Sequence, residues 1–240
     1  MKSGTVRESI SILSTRPIDN EIVQDAARQG IDIEVLSFID TAPVQSIEVT
    51  QEVEQASLME TTVVFTSMNA VEAVTDILFG LVPEWQVYCM GNTTRRLVAG
   101  YFGEDSIAGT ADSAANLAKT IIEDGAAEEV FFFCGDQRRD ELPGILSDAG
   151  IQVNEIVVYE TIATPHKLTS QFAGVLFYSP SAVESFFIHN RLPEHALAFA
   201  IGATTANAIR KYSGNRIITA DEPGKEQLVA KAIEILGSKI

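Results

Sequence analysis

The decapeptide VVFTSMNAVE at positions 63–72 returns as VLFYSPSAVE at positions 175–184, and six of the ten residues are identical. Each copy begins with an apolar run of strand length, passes through a polar turn and enters a segment with helical spacing. A strand that leads into a helix is the elementary unit of α/β folds. The chain therefore carries the same strand–helix unit twice.

The repeat extends beyond these ten residues. The tetrapeptide GNTT at 91–94 returns as GATT at 202–205. A later helical run keeps almost the same spacing, with Leu117, Ile122 and Glu123 returning as Leu228, Ile233 and Glu234. A weaker match relates the dipeptide at 30–31 to the one at 150–151. A register kept across several segments indicates a duplicated structural unit.

Strand-like and helix-like runs alternate along the chain, which predicts mostly parallel sheets with helices on both faces. We expect strands near residues 11–14, 31–38, 62–65, 86–90, 106–108, 130–134 and 151–158. Helices are expected near 19–29, 69–79, 93–99, 113–124 and 140–149.

The copies follow one another as a short unit, a long unit, a short unit and a long unit. Only a few residues separate the second and third units, which is typical of loops within one α/β sheet. We therefore expect these two units to form one continuous, five-stranded central domain. The first and fourth units then close a second domain from the two chain ends.

The predicted fold is thus α/β, with two similar parallel-sheet, flavodoxin-like domains of interleaved connectivity joined by a two-segment hinge. A hinge between similar domains predicts a cleft. The expected limits are 1–38 plus 170–240 for the terminal domain, 45–160 for the central domain, and about 39–44 and 161–169 for the hinge.

Bulk properties narrow the class of protein. Hydrophobic residues make up 46% of the 240 residues, and the formal net charge is −16. This acidic surplus argues against a nucleic-acid surface, which is usually basic. No apolar run approaches the ~20 residues of a membrane helix, and positions 1–9 show no signal-peptide pattern. We expect a cytoplasmic monomer with no membrane partner.

Cofactor and metal signals are weak in this sequence. Cys89 and Cys134 lie in apolar strand-like runs without a CxxC neighbour, which predicts reduced, buried thiols. The three histidines lack the spacing of metal ligands. The sequence has neither GxGxxG nor GxxxxGK[ST], which disfavours a nicotinamide, flavin or nucleotide site.

Both repeated motifs lie where strands are predicted to end and helices to begin, the usual ligand edge of parallel α/β sheets. Helix starts offer free N–H groups that suit a carboxylate or phosphate. Helix capping alone is the alternative explanation for each motif. The candidate residues are Ser67, Asn69 and Thr94 in the first copy and Ser179, Ser181, Thr204 and Thr205 in the second.

Basic residues fall at the same predicted edges. Arg16 follows the first strand, and Arg138 and Arg139 follow Gly135 at the end of another. Arginine pairs with carboxylates in a bidentate manner, although each of these arginines can also be an ordinary surface residue. Tyr159 has no tyrosine counterpart in the other copy. It is expected to end the last central strand, either as a hydrogen-bond or proton donor or as a half-buried aromatic.

Taken together, these motifs resemble the uroporphyrinogen-III synthase family. The resemblance covers nearly the whole chain and lies in the order of the motifs TRP at 15–17, VFTSMNAV at 64–71, GNTT at 91–94, Gly135 with RDELP at 139–143, VYET at 158–161, FYSPSAV at 177–183 and IGATTA at 201–206.

The resemblance implies a reaction and a site. The linear tetrapyrrole hydroxymethylbilane would lose its hydroxyl as water, invert ring D through a spiro-type intermediate and close to uroporphyrinogen III, without cofactor or metal. Tyr159 is then the candidate acid. The implied substrate-binding residues are Arg16, Ser67, Asn69, Thr94, Gly135, Arg139, Ser179, Ser181, Thr204 and Thr205. The alternatives are a non-catalytic two-lobed binding module and a nucleotide-dependent α/β enzyme.

Overall fold

The computed structural model describes residues 9–125, 127–222 and 224–237. These form two compact units. The terminal unit contains the described residues up to Asp40 and those from Ile162 onward, and the central unit is Thr41–Thr161. Positions 1–8, where no signal peptide was expected, lie outside the described residues, as do 238–240 at the end of the predicted terminal domain.

Strands and helices alternate through most of the chain. In order they are β1 (Ile10–Ser14), α1 (Asn20–Arg28), β2 (Ile31–Val35), β3 (Ile39–Pro43), α2 (Ile47–Ser57), β4 (Thr61–Phe65), α3 (Met68–Leu78), β5 (Trp85–Met90), α4 (Thr93–Phe102), β6 (Ile107–Ala111), α5 (Ala114–Asp124), β7 (Glu129–Gly135), α6 (Glu141–Asp148), β8 (Gln152–Ala163), β9 (Gly174–Phe177), α7 (Pro180–His189), β10 (Leu197–Ala200), α8 (Ala203–Arg210), β11 (Ile217–Thr219) and α9 (Lys225–Gly237).

The sheet of the terminal unit has the strand order β2-β1-β9-β10-β11, and every neighbouring pair is parallel. Numbered by position within the unit, this is the 2-1-3-4-5 order of flavodoxin-like folds. The predicted class and the parallel sheet are confirmed here.

The central sheet has the order β3-β8-β7-β4-β5-β6. Strands β8 to β6 are parallel and repeat the flavodoxin-like order, with β7 and β8 in the places of β1 and β2. Strand β3 is an additional edge strand beside β8. Backbone hydrogen bonds from Val44 to Val158 and from Thr164 to Phe38 progress in opposite directions along the chain, so this edge pair is antiparallel.

The sequence-based expectation of five central strands was therefore wrong by one strand. The missed strand, β3, has the sequence IDTAP and no fully buried residue, so it lacks the apolar run that identifies core strands. Helix α2 was missed too, since only Val53 and Ala56 of its eleven residues are buried. Strand β8 continues past the expected end near residue 158 to Ala163, so Tyr159 is an internal residue of this strand.

Each sheet is buried on both faces by helices. In β4, Val63 and Phe65 pack into one core cluster and Val64 packs into the other, on the opposite face. In β9, Leu176 faces one cluster while Val175 and Phe177 face the other. Uniformly apolar strands of this kind are the expected sequence of a parallel sheet that is covered on both sides.

Aromatic rings fill one central core cluster. Phe133 is fully buried, and its ring centroid lies 5.3 Å from that of Phe65 and 5.5 Å from that of Trp85. The Trp85 indole N–H donates a 2.9 Å hydrogen bond to the carbonyl of Ala56 at the end of α2. This bond ties α2 to the sheet, because a buried indole N–H is costly without an acceptor.

We expect Phe133→Ala to lower the free energy of unfolding by about 3–5 kcal/mol, the cost of emptying an aromatic core position. The matched control is Phe79→Ala, because Phe79 is 96% exposed and its removal should change stability by no more than about 0.5 kcal/mol. Urea unfolding followed by circular dichroism measures both. Equal effects of the two substitutions would contradict the packing described here.

Candidate functional site

A pocket of about 360 Å³ opens at the carboxyl ends of the central strands. We call it the central pocket. It is lined by residues that follow or end β4, β5, β6 and β7, by one residue inside β7 and one inside β8, and by the starts of α5 and α6. These residues are Thr66, Met90, Asp112, Ser113, Ala114, Phe132, Gly135, Arg138, Arg139, Glu141, Leu142 and Tyr159.

The position of the central pocket follows from the strand order. Strand β7 connects through α6 to β8 on one side, whereas its other neighbour, β4, leads through α3 to β5 on the far side. The connections therefore leave in opposite directions from β7 and β4, which opens a crevice between them at the carboxyl edge. Thr66 directly follows β4 and Gly135 ends β7, so the pocket lies at this switch point.

Tyr159 borders the central pocket and is half-buried. In the part of the chain that the structure describes, its hydroxyl group has no hydrogen-bond partner. Tyr88, one strand further along the sheet from β4, differs in this respect, because its hydroxyl donates a 2.8 Å hydrogen bond to Asp124. The Tyr159 hydroxyl is thus available to a ligand, and the Tyr88 hydroxyl is not.

The two adjacent arginines of the pocket have different surroundings. Arg138 forms ion pairs with Glu155 on β8 and with Asp140 before α6. Burial works to lower the pKa of the Arg138 guanidinium, but the hydrogen bonds to Asp140 and Glu155 outweigh it and raise its pKa. Arg139 has no carboxylate within ion-pair distance among the described residues. The chain neutralises Arg138 and leaves Arg139 free for an anion.

The cysteines are unsuited to chemistry at this edge. Both Cys89 and Cys134 are buried and unbridged. Burial raises the pKa of each thiol to about 11, so both remain protonated near neutral pH. Residues 9–125, 127–222 and 224–237 contain no cluster of His, Cys, Asp and Glu that could hold a metal ion. Within the same ranges, no helix is long and apolar enough to cross a bilayer.

The serine-containing helix starts are capped by their own side chains. Ser67 Oγ accepts a hydrogen bond from the backbone N–H of Asn69 at 3.2 Å, and Ser179 Oγ accepts one from Ala182 at 3.1 Å. Ser67 and Ser179 are therefore the N-caps of α3 and α7, and Asn69 and Ser181 lie half-buried inside the first turns. Helix capping accounts for both serine hydroxyls.

The threonine-containing helix starts lack such a cap. The N-cap residues Asn92 of α4 and Gly202 of α8 make no side-chain capping bond. The side chains of Thr94 and Thr205 are almost fully buried, while Thr204 is exposed. The first turns of α4 and α8 therefore have N–H groups without a side-chain cap, and these groups carry the positive end of the helix dipole.

A family model described as uroporphyrinogen-III synthase HemD matches residues 20–230, nearly the whole chain. The chain belongs to the uroporphyrinogen-III synthase family. It is accordingly a cyclising lyase of haem biosynthesis that acts on a small tetrapyrrole substrate. The match gives no support to a non-catalytic binding module.

Solved structures of this family share the fold. The uroporphyrinogen-III synthetase of Helicobacter pylori has a TM-score of 0.63 at 17% identity, over 94% of this chain and 99% of that one. A mutant uroporphyrinogen III synthase of the extremely thermophilic bacterium Thermus thermophilus has a TM-score of 0.58 at 15% identity, over 97% and 100% of the two chains.

Of the site residues predicted from the sequence, the structure brings three together in the central pocket: Gly135, Arg139 and Tyr159. Ser67, Asn69 and Thr94 belong to neighbouring helix starts of the same unit. The remaining five lie in the terminal unit, where Arg16 is an exposed residue after β1 and Ser179, Ser181, Thr204 and Thr205 open α7 and α8.

Sequence reasoning missed several residues of these edges. Thr66 and Ser113 line the central pocket. Thr66 directly follows a predicted strand and Ser113 caps α5, a signal that was available in the sequence. In the terminal unit, the ammonium group of Lys225 lies 3.4 Å from the carbonyl oxygen of Pro17, next to Arg16. Lys225 and Pro17 are far apart in sequence, so only the fold pairs them.

Because the two arginines have different surroundings, we expect their substitution to change the free energy of unfolding by different amounts. Arg138→Gln should lower the free energy of unfolding by about 1–2 kcal/mol, between the values for exposed and buried ion pairs, because it leaves the partly buried Glu155 unpaired. Arg139→Gln should change it by less than about 0.5 kcal/mol. Urea unfolding of both variants measures this difference, and the reverse order would contradict the assigned ion pairs.

Proposed function

We propose that the central pocket carries out the chemical step that converts hydroxymethylbilane to uroporphyrinogen III, with Tyr159 as the proton donor. The observation that carries this proposal is the juxtaposition of Tyr159 and Arg139 in one pocket at the switch point of a sheet whose chain matches the synthase family. Within the described residues, the Tyr159 hydroxyl has no hydrogen-bond partner and the Arg139 guanidinium has no carboxylate partner.

The first step breaks a carbon–oxygen bond. Electrons of the adjacent pyrrole expel the hydroxyl group of hydroxymethylbilane while Tyr159 donates its proton to that oxygen, so the leaving group departs as water. The substituted α-carbon of ring D attacks the resulting carbon and forms the spiro-type intermediate. The older bond from this α-carbon to the methylene bridge of ring C then breaks, and the bridge carbon bonds to the free α-carbon of ring D, which inverts the ring. The proton that this carbon loses returns to the tyrosinate, so that the proton donor is restored.

Binding depends on the substrate carboxylates. The substrate carries eight of them, whereas the protein has a formal net charge of −16. Attraction therefore has to come from local donors, because the overall field is repulsive. Arg139 suits a bidentate carboxylate contact. Holding the open chain in the productive conformation is the larger task, since spontaneous closure proceeds without inversion.

Further carboxylate contacts are proposed in both units. In the central unit they are the uncapped N–H groups at the start of α4, at Thr94, with Ser67 and Asn69 nearby at α3. In the terminal unit they are Arg16, the starts of α7 and α8 at Ser179, Ser181, Thr204 and Thr205, and Lys225, which is included because its ammonium group lies beside Pro17 and Arg16. We further propose that the enzyme is cytoplasmic, acts as a monomer and needs neither cofactor nor nucleic acid.

The test of this function is incubation with hydroxymethylbilane, with the ratio of type III to type I uroporphyrinogen measured by chromatography. We expect predominantly the type III isomer. Formation of type I alone, at the rate seen without protein, would refute the proposed activity.

Tyr159→Phe should lower kcat by about 10²-fold, the lower end of general-acid contributions, and leave KM nearly unchanged, because the ring stays and only the hydroxyl is lost. Initial rates of type III formation measure both constants. Tyr101→Phe serves as the control, because the Tyr101 hydroxyl bonds to the backbone of Gly80 outside the central pocket. A wild-type kcat for Tyr159→Phe would remove the acid role.

Arg139→Gln should raise KM about tenfold with a smaller change in kcat, because it removes a carboxylate contact made in both the ground state and the transition state. The effect should shrink as salt is raised, since screening weakens the contact. Arg28→Gln is the matched control, an exposed arginine on α1 that pairs with Asp25. An unchanged KM for Arg139→Gln would exclude it from substrate binding.

A further inference from the structure

Tyr159 lies at an irregularity in the pairing of β7 with β8. Along β7 and β8, Cys134 pairs with Val157, but the next residue, Gly135, pairs with Tyr159. Val158 is thus an extra residue on β8, which is the arrangement of a β-bulge. Bulges turn the following side chain to a new direction, so this one decides where the Tyr159 ring points.

Gly135 makes room for the ring that the bulge presents. A Cβ atom added at Gly135 would lie 2.4 Å from Cζ of Tyr159 and 2.8 Å from its hydroxyl oxygen. Such distances are prohibitive, so the tyrosine ring rests directly on the glycine backbone. Gly135 does not have a positive φ. Its lack of a side chain is therefore required by space and not by backbone conformation.

Asp136 holds the backbone that directly follows the Tyr159 side chain. Its N–H donates a 3.1 Å hydrogen bond to the carbonyl of Tyr159, and its carboxylate oxygen Oδ1 accepts a 2.9 Å hydrogen bond from the N–H of Thr161. Beyond the last paired residue of β7, the Asp136 carboxylate thus accepts a hydrogen bond that a backbone carbonyl would accept in a regular strand pair. With these two bonds the segment 159–161 is fixed beyond the bulge.

The same sheet contains an instructive contrast. A Cβ atom at Gly109 would lie 2.8 Å from the ring of Tyr88, so a glycine makes space for a tyrosine there as well. Tyr88, however, is 2% exposed and its hydroxyl is bound to Asp124, which anchors the far end of the ring. Tyr159 has no such anchor on its hydroxyl in the described part of the chain. The position of its ring therefore depends on the Gly135 backbone that it packs against and on the backbone segment that Asp136 holds.

We propose that Gly135 and Asp136 are positioning residues for Tyr159. Gly135 sets the ring against the floor of the central pocket, and Asp136 fixes the backbone that carries it, so that the hydroxyl meets the substrate without being tied to the protein. The catalytic part of this inference rests on the proposed role of Tyr159. The structural part does not.

The first test is Gly135→Ala. We expect kcat to fall on the order of tenfold to a hundredfold with KM changed less than about twofold, as for a displacement of one catalytic group by about an ångström. Gly144→Ala on α6 is the matched control, because a Cβ there meets nothing within 4 Å. In a Tyr159→Phe background, Gly135→Ala should cause little further loss, because the two changes act on the same group.

The second test concerns Asp136. Asp136→Ala should lower kcat about tenfold, whereas Asp136→Asn keeps the Oδ1 acceptor for Thr161 and should restore most of the rate. Equal losses for the alanine and asparagine variants would refute the role of Asp136. The comparison of the two Asp136 variants still tests the proposal if Gly135→Ala fails to fold.

The ring position is measured separately by NMR of the protein labelled with ¹³C-tyrosine. The chain has five tyrosines, and the Tyr159 signal is the one absent from Tyr159→Phe. It should shift in Gly135→Ala and stay in Gly144→Ala, and an unshifted signal overturns the proposal. A shifted signal with wild-type kcat, when Tyr159→Phe is impaired, also overturns it. If Tyr159→Phe itself keeps full activity while the signal shifts, the positioning stands and the acid role of Tyr159 fails.

Discussion

A parallel sheet that is buried on both faces constrains everything else in this protein. Because neighbouring strands run in the same direction, each connection has to return across the sheet as a helix, and all helices then begin at one edge. That edge collects the residues after β4, β5, β6 and β7 in the central unit, and those after β1, β9 and β10 in the terminal unit. The candidate residues of each unit therefore lie at or next to the same edge of their own sheet.

At the carboxyl edge of the central sheet, the fold decides which charged side chains have a partner of opposite charge. The chain places two arginines next to each other and neutralises only Arg138, through Glu155 and Asp140. Arg139 has no carboxylate partner among the described residues, and for this reason we propose it as a carboxylate-binding residue in a protein with a net charge of −16. The two tyrosines differ in the same way: the Tyr88 hydroxyl is bound to Asp124, whereas the Tyr159 hydroxyl has no partner in the part of the chain that the structure describes.

Much of the fold could be predicted from the sequence, because uniformly apolar strands and capped helices are local signals. The two duplicated strand–helix units were predicted from the repeat, and the parallel sheets were predicted from the alternation of strand-like and helix-like runs. Strand β3 and helix α2 could not be, since IDTAP buries none of its residues fully and α2 buries only two. Their stability comes from neighbours, such as the bond between Trp85 and the carbonyl of Ala56, and such contacts leave no local pattern.

The sequence by itself determined the fold class, the duplication, the family and the residues Gly135, Arg139 and Tyr159 as candidates. Only the tertiary structure decided that these three share a pocket, that Arg138 and not Arg139 pairs with carboxylates among the described residues, and that the starts of α4 and α8 lack a side-chain cap. It also decided that Gly135 serves as the surface on which the Tyr159 ring rests. The reason is physical. Strand register and the choice of ion-pair partner depend on contacts between residues that are distant in the chain. Hydrophobic periodicity and helix capping depend only on residues that are close together in the sequence.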